Sequence, residues 1–225
     1  MVQGSRTESD RHFVPSSPPN TDLACAVLLL VTTSGHYRAH SLSVRKASTM
    51  GWTVLDLFTQ LDGISVRRFS RYPKLAPAHF FPTTQVVLYS DLNVIESLHT
   101  SNPRCVARSL LANSSFGIIQ HERSATIQDE KQAILTAYRT RPLVDDIDIL
   151  ERQVRRIEES SLPSTKTAFG ILGGGIHAHR ILGEHTSHSI DETWLDEYMR
   201  GCDRDQIAFF AMDSRLVMQS CSMGL

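Results

Sequence analysis

The segment Thr84-Gln85-Val86-Val87-Leu88-Tyr89-Ser90-Asp91-Leu92-Asn93-Val94 constrains this chain most, because it is a β-branched, apolar strand that ends in an acid, a spacer and an amide. A carboxylate at the C-terminal end of a strand points into the crevice where open α/β sheets bind ligands. Asp91 and Asn93 can both face that crevice if the chain turns there. They would then offer hard oxygen ligands to Mg2+ or Mn2+ bridging a diphosphate. Asp and Asn also favour turns after strands for local hydrogen-bonding reasons, so the meaning of the pair depends on what surrounds it.

What surrounds it alternates between strand-like and helix-like stretches. Leu23 to Thr32, Trp52 to Phe58, Ser65 to Phe69 and Phe116 to Gln120 read as strands, with Val86 to Tyr89 as the central one. Pro73 to Phe81 reads as a short helix or irregular packing segment in which Lys74 faces the cleft while Leu75 and Phe80 anchor it. Helical spacing covers Ala107 to Leu111, Ile127 to Tyr138 and Ile147 to Glu159, the last with Ile149, Leu150, Val154 and Ile157 on one face. Its charged residues read as a salt-bridged solvent face.

The densest chemistry lies between Trp194 and Phe210. Trp194, Leu195 and Tyr198 form an apolar stripe, and Gly201 can end that helix in a left-handed conformation. Asp203 can cap a second helix carrying Arg204, Asp205 and Gln206 in its first turn. On residue types alone, these charges also fit capping and surface roles on a helical hairpin.

Taken in order, Arg71-Tyr72-Pro73-Lys74-Leu75-Ala76-Pro77, Phe81-Pro82, the strand ending at Asp91, His121-Glu122-Arg123, and Trp194 with Glu197 and Arg204-Asp205-Gln206 resemble one known family. It is the glycosyltransferase-like domain family of the turgor-regulation-defect and mucilage-related proteins, formerly a domain of unknown function. The resemblance runs over roughly residues 50 to 215, and the Pro-Lys-Leu and Arg-Asp-Gln blocks are its most specific parts. It implies a nucleotide-diphospho-sugar transferase-like α/β fold of the A type, a mixed sheet flanked by helices whose N-terminal part is incomplete. It also implies transfer of a sugar from a nucleotide-diphosphate donor to a glycan, lipid or protein acceptor, with Mn2+ or Mg2+ as cofactor.

On that resemblance Asp91 and Asn93, with His179 or His185, hold the metal, and Asp205 orients a substrate or acts as base. Arg71, Lys74, His121, Arg123, Arg180, Glu197, Arg204 and Gln206 would bind substrate. Asn93 stands where the family's metal element has a second acid, and the family's first strand and glycine-rich turn have no clear counterpart before Gly51. Two other classes follow from the same residues: a metal-dependent hydrolase like the alkaline ceramidase described in this family, and a decayed relative that binds a glycan or partner.

Composition narrows the field further. A net charge of −1 over 225 residues gives no support for nucleic-acid binding, which normally needs a basic face. Residues 1–21 read as a disordered segment, 22–216 as the domain and 217–225 as a tail. Leu23 to Val31 is far short of the ~20 residues of a membrane span and lacks a basic leader. As it stands the chain reads as cytoplasmic, or as Golgi-lumenal if an N-terminal anchor is missing. The four cysteines are scattered, with Cys25 and Cys105 expected as buried free thiols.

Gly173-Gly174-Gly175-Ile176-His177-Ala178-His179-Arg180 carries three glycines that permit close approach by a ligand, then two imidazoles on one side of a strand. No acid or cysteine sits at familiar zinc spacing, and no Lys-Ser/Thr or helix start follows the glycines, which excludes a Walker or dinucleotide fingerprint.

Overall fold

A computed structural model describes residues 2–4, 27–32, 45–58, 66–91, 102–112, 114–120, 126–140, 146–160, 172–212 and 222–223. Among them the chain is mixed α/β with two sheets. Strands β1 (Val2–Gly4), β2 (Val27–Thr32) and β3 (Thr53–Phe58) form a parallel sheet in that order. Helix α1 (Val66–Leu75) packs against β1 and β2 and leads through a 3-10 turn at Pro77–His79 to β4 (Val86–Ser90). Helix α2 (Pro103–Leu111) and strand β5 (Phe116–Gln120) follow, then helices α3 (Ile127–Thr140) and α4 (Ile147–Ser160). Strand β6 (Leu172–Arg180), helices α5 (His188–Arg200) and α6 (Asp205–Phe209), and strand β7 (Ser222–Met223) complete the order.

The second sheet has the order β4-β6-β5-β7, with β6 antiparallel to both β4 and β5 and β7 parallel to β5. Among the described residues β4, expected as the central strand, is therefore an edge strand of its sheet, and β6 and β5 are each flanked on both sides. The register explains why. Tyr89 sits opposite His177, and Ile118 also sits opposite His177, so the His-x-His strand is the shared spine. Between Ile118 and Ile119 the register slips, taking the partner from His177 to Gly173. The glycines thus lie within β6 and its irregularity, where residues without a side chain tolerate the bend. Asp91 N donates to Gly175 O at 2.7 Å, which ties the end of β4 to this stretch.

Helix α1 replaces the strand expected over Ser65 to Phe69. Once helical, it buries Ser70, Pro73, Lys74 and Leu75. Pro73 sits in its last turn, so only one late amide bond is lost there. Helix α2 opens on Asn102, whose side chain accepts from Arg104 N, with Pro103 at the first turn where no donor is needed. The amphipathic reading of α4 holds for Leu150, Val154 and Ile157, all buried, but Gln153 is buried with them at 2 % exposure. Its amide clasps α5: Oε1 accepts from Cys202 N at 2.8 Å, and Nε2 donates to Glu197 Oε1 at 2.8 Å. A methyl on Gly201 would overlap this Gln153 side chain, and one on Gly117 would overlap the Leu110 carbonyl, so both glycines are places of close approach.

Two end-of-helix expectations change. Gly201 has φ −104° and ψ −161°, extended rather than left-handed, because the chain leaves α5 straight toward α6. Arg204, not Asp203, occupies the position before α6, and Asp203 accepts a hydrogen bond from the Tyr198 hydroxyl instead. The carbonyls of Met199, in the last turn of α5, and of Gly201, just beyond it, are met by Arg68 at 2.9 and 2.8 Å. Cys105 is exposed, while Cys202 is buried and Cys25 lies outside the described residues. The main core joins Leu75, Phe116, Ile118, Trp194, Tyr198 and Phe209 between α1, the second sheet and α5–α6. No helix among the described residues is long and apolar enough to cross a membrane.

Candidate functional site

The C-terminal end of β4, the last turns of α1 and the start of α6 converge on four charged side chains. Helix spacing places Arg71 and Lys74 three residues apart on one face of α1. Strand alternation places Tyr89 and Asp91 on one side at the end of β4. Lys74 Nζ is 2.5 Å from Asp205 Oδ2 and 3.5 Å from Asp91 Oδ2, and Arg71 Nη1 is 3.4 Å from Asp91 Oδ1. The Tyr89 hydroxyl donates to Asp91 Oδ1 at 2.6 Å, and its ring lies 5.2 Å below the Lys74 ammonium. Trp194 Nε1 donates to Asp205 O at 2.8 Å, which fixes the first residue of α6 against the core.

Exposure grades this cluster. The Lys74 and Asp205 side chains are sealed at 1 % and 5 %, whereas Arg71 and Asp91 are open at 18 % and 24 %. Lys74–Asp205 is the floor and Arg71–Asp91 the mouth. Two positive and two negative groups balance. Burial alone would raise the Asp205 carboxyl, but the fields of Lys74 and Arg71 outweigh it and hold Asp205 well below the usual carboxylate range. Burial also opposes the Arg71 charge, and Asp205, Tyr89 and Asp91 reverse that, so its proton is held more tightly than usual. Burial and Asp91 push the Tyr89 phenol up, which keeps it a donor. Burial and Asp203 do the same for Tyr198.

Among the described residues Arg71 is bound at one corner only. Beyond its Nη1 contact with Asp91, the guanidinium has no protein partner among the described residues. An arginine held by its neighbours with donors left over is suited to an oxyanion arriving at the mouth.

The sequence-expected residues divide accordingly. Arg71, Lys74, Asp91 and Asp205 are brought together. Arg180 ends β6, with its backbone N bonded to Ser115 O, and Arg204 and Gln206 are half-buried at the start of α6. Glu197 is committed to α4 through Gln153 and Arg156, so the charged face of α4 contributes a contact as well as solvation. Asn93, His121 and Arg123 lie outside the described residues. His179 is fully buried, with Nδ1 at 2.7 Å from Asp191 Oδ1 and Nε2 at 2.6 Å from His177 Nδ1, while His185 is exposed on the loop before α5.

As they are arranged among the described residues, these donors do not fit a divalent cation. Both Asp91 oxygens already face donors, two of them positively charged, and both His179 nitrogens are engaged. Among the described residues no three His, Cys, Asp or Glu side chains gather as a metal set. Tyr89 and Asp191 are parts of the site region that the residue patterns did not single out. For Tyr89 the available signal was its place two residues before Asp91, and for Asp191 it was the Ser187-x-x-x-Asp191 spacing at the start of a helix. No family model, curated protein or solved structure matches the chain.

Proposed function

We propose that this protein is a glycosyltransferase of the nucleotide-diphospho-sugar, A-type kind, moving a sugar from a nucleotide-diphosphate donor to an alcohol acceptor. The observation that carries the reading is the half-open Arg71 guanidinium beside the Lys74–Asp205 floor at the end of β4. A diphosphate entering the mouth would take the free donors of Arg71 and displace Asp91 from its long contacts of 3.4 and 3.5 Å. Tyr89, at 2.6 Å, would keep hold of the displaced carboxylate. Lys74 would then add its charge from behind as the bond to the leaving diphosphate breaks. Asp205, a weak proton acceptor while paired with Lys74, is suited to orient the donor sugar or acceptor rather than to take its proton.

In this reading Arg71 and Lys74 supply the positive charge that Mn2+ or Mg2+ supplies in the metal-dependent members of the class. Calorimetric titration with UDP and GDP, each with Mn2+ and again with EDTA, tests it. The expected result is binding to one nucleotide that survives chelation and falls at least about tenfold in Arg71→Ala, about 1.4 kcal/mol. Binding that disappears with EDTA would restore Asp91 and Asn93 as a metal pair. No binding to either nucleotide by a folded sample would overturn the transferase reading and direct assays to ceramide hydrolysis and glycan capture.

A further inference from the structure

Behind the charged cluster runs a second polar chain that sugar transfer, as described, does not use. The Ser187 hydroxyl donates to Asp191 Oδ2 at 2.8 Å, Asp191 Oδ1 faces His179 Nδ1 at 2.7 Å, and His179 Nε2 faces His177 Nδ1 at 2.6 Å. Ser187, His177 and His179 are wholly buried and Asp191 is 1 % exposed. Each of the two contacts made by His179 has room for one hydrogen, and the direction propagates. A carboxylate accepts, so His179 donates from Nδ1. With one hydrogen on each ring, His179 Nε2 accepts and His177 donates from its own Nδ1. What remains is His177 Nε2, a lone pair on the far edge of the ring.

That nitrogen is buried and, among the described residues, has no protein partner. The groups around the ring explain why none is near at hand. Tyr89 stacks on it at 4.7 Å and 18°, but the Tyr89 hydroxyl is engaged by Asp91. Trp194 lies 5.6 Å away at its centroid, and its indole N–H is engaged by the Asp205 carbonyl. Burial, His179 and the Lys74 charge all oppose a proton on His177, so the ring stays neutral and Nε2 stays an acceptor. Buried acceptors are rarely left bare, and small polar guests are the usual remedy.

We propose that His177 Nε2 is the binding site for a single hydroxyl group, water or alcohol, and that Asp191, acting through His179, fixes the direction of the hydrogen bond it accepts. Asp191 and His179 are positioning residues in this scheme. The site adjoins the Lys74–Asp205 floor and does not depend on the identity of the transferred group.

Two measurements on the unaltered protein test the proposal. Nitrogen NMR of histidine-labelled protein is expected to show His177 and His179 protonated on Nδ1 only. A crystal structure resolving waters is expected to show one oxygen within hydrogen-bond distance of His177 Nε2. Soaking with ethylene glycol separates the two sources: replacement of the water by a glycol oxygen marks a site for substrate alcohols, and retention of the water marks a structural hydroxyl. Protonation of His177 on Nε2, or Lys74 Nζ in place of any hydroxyl, would overturn the proposal. Asp191→Asn adds a readout that simple structural support would not move. Its amide can donate to His179 Nδ1, so both rings should shift their hydrogen to Nε2 and the acceptor become a donor. A folded Asp191→Asn protein with the original pattern would refute the role of Asp191.

Discussion

Lys74→Met keeps the length of the side chain and removes its charge, leaving Asp205 sealed at 5 % side-chain exposure with its 2.5 Å counter-ion gone. At an effective dielectric of about 20, two unit charges at that separation attract by about 7 kcal/mol. Desolvating both ions offsets several kcal/mol each, so the whole pair contributes little, yet removing one partner typically costs about 3–5 kcal/mol. Arg71 stays nearby and also favours the Asp205 charge, which sets the expectation near the lower end, about 3 kcal/mol. Asp205→Asn should cost less, because Lys74 can still pair with Asp91 at 3.5 Å. The double variant should cost well under the sum, with a coupling of about 2 kcal/mol.

Urea unfolding followed by fluorescence reads all four proteins, Trp194 being buried and bonded to the Asp205 carbonyl. The effect of pH provides a second readout. In the unaltered protein the folded state binds the Asp205 proton less readily than the unfolded chain, whose ordinary value is 3.8. That stabilisation is complete above the ordinary value and lost as pH falls below it. In Lys74→Met, burial should raise the Asp205 carboxyl, so the folded state takes the proton more readily and the variant gains stability as pH falls from 7 toward 4. The gap between the two proteins therefore narrows over that window. A coupling below about 0.5 kcal/mol, or a gap that does not change with pH, would refute the buried-pair account.

Gly201→Ala should destabilise by more than about 2 kcal/mol, since the methyl overlaps the Gln153 amide that joins α4 to α5; thermal melting reads it, and a neutral result would mean that the two helices separate freely. Gln153→Ala should cost about 1–3 kcal/mol in urea unfolding by leaving the Cys202 N–H unpaired. The Tyr89 and Tyr198 phenols, both held above their ordinary value of 10.0, should ionise only on unfolding. Their folded forms keep the proton that the unfolded chain loses, so stability falls as pH rises past 10.0, and ultraviolet titration should show two phenols released together with loss of structure.

Most helices were legible because their apolar spacing coincides with what is buried, as at Leu150, Val154 and Ile157. Helix α1 was not, because Ser65 to Phe69 has the β-branched and aromatic content of a strand, and its burial of Lys74 is a tertiary effect that propensity does not encode. Lys74 and Asp205 were each expected at the cleft from two short motifs, but their contact with one another was not, and Asp91, expected beside a metal, sits between two side-chain cations. The His-x-His alternation did put both rings on one side of β6, at 4.7 Å between centroids. The residue that completes their chain, Asp191, comes from a helix, and no local pattern along the strand reports it.

The floor of the site also has a bearing on the order of folding. Lys74 and Asp205 are about 130 residues apart in the chain, with the four helices α2–α5 and the three strands β4–β6 between them. Closing so long a loop is entropically costly and slow compared with forming α1 or the β4–β6 ladder. Until α6 docks, Lys74 has no buried counter-ion and is better left in water, so the end of α1 should settle against the core only in the last step. A charge pair that does little for equilibrium stability would then act as a checkpoint, letting the interior close only on chains whose C-terminal helices have arrived.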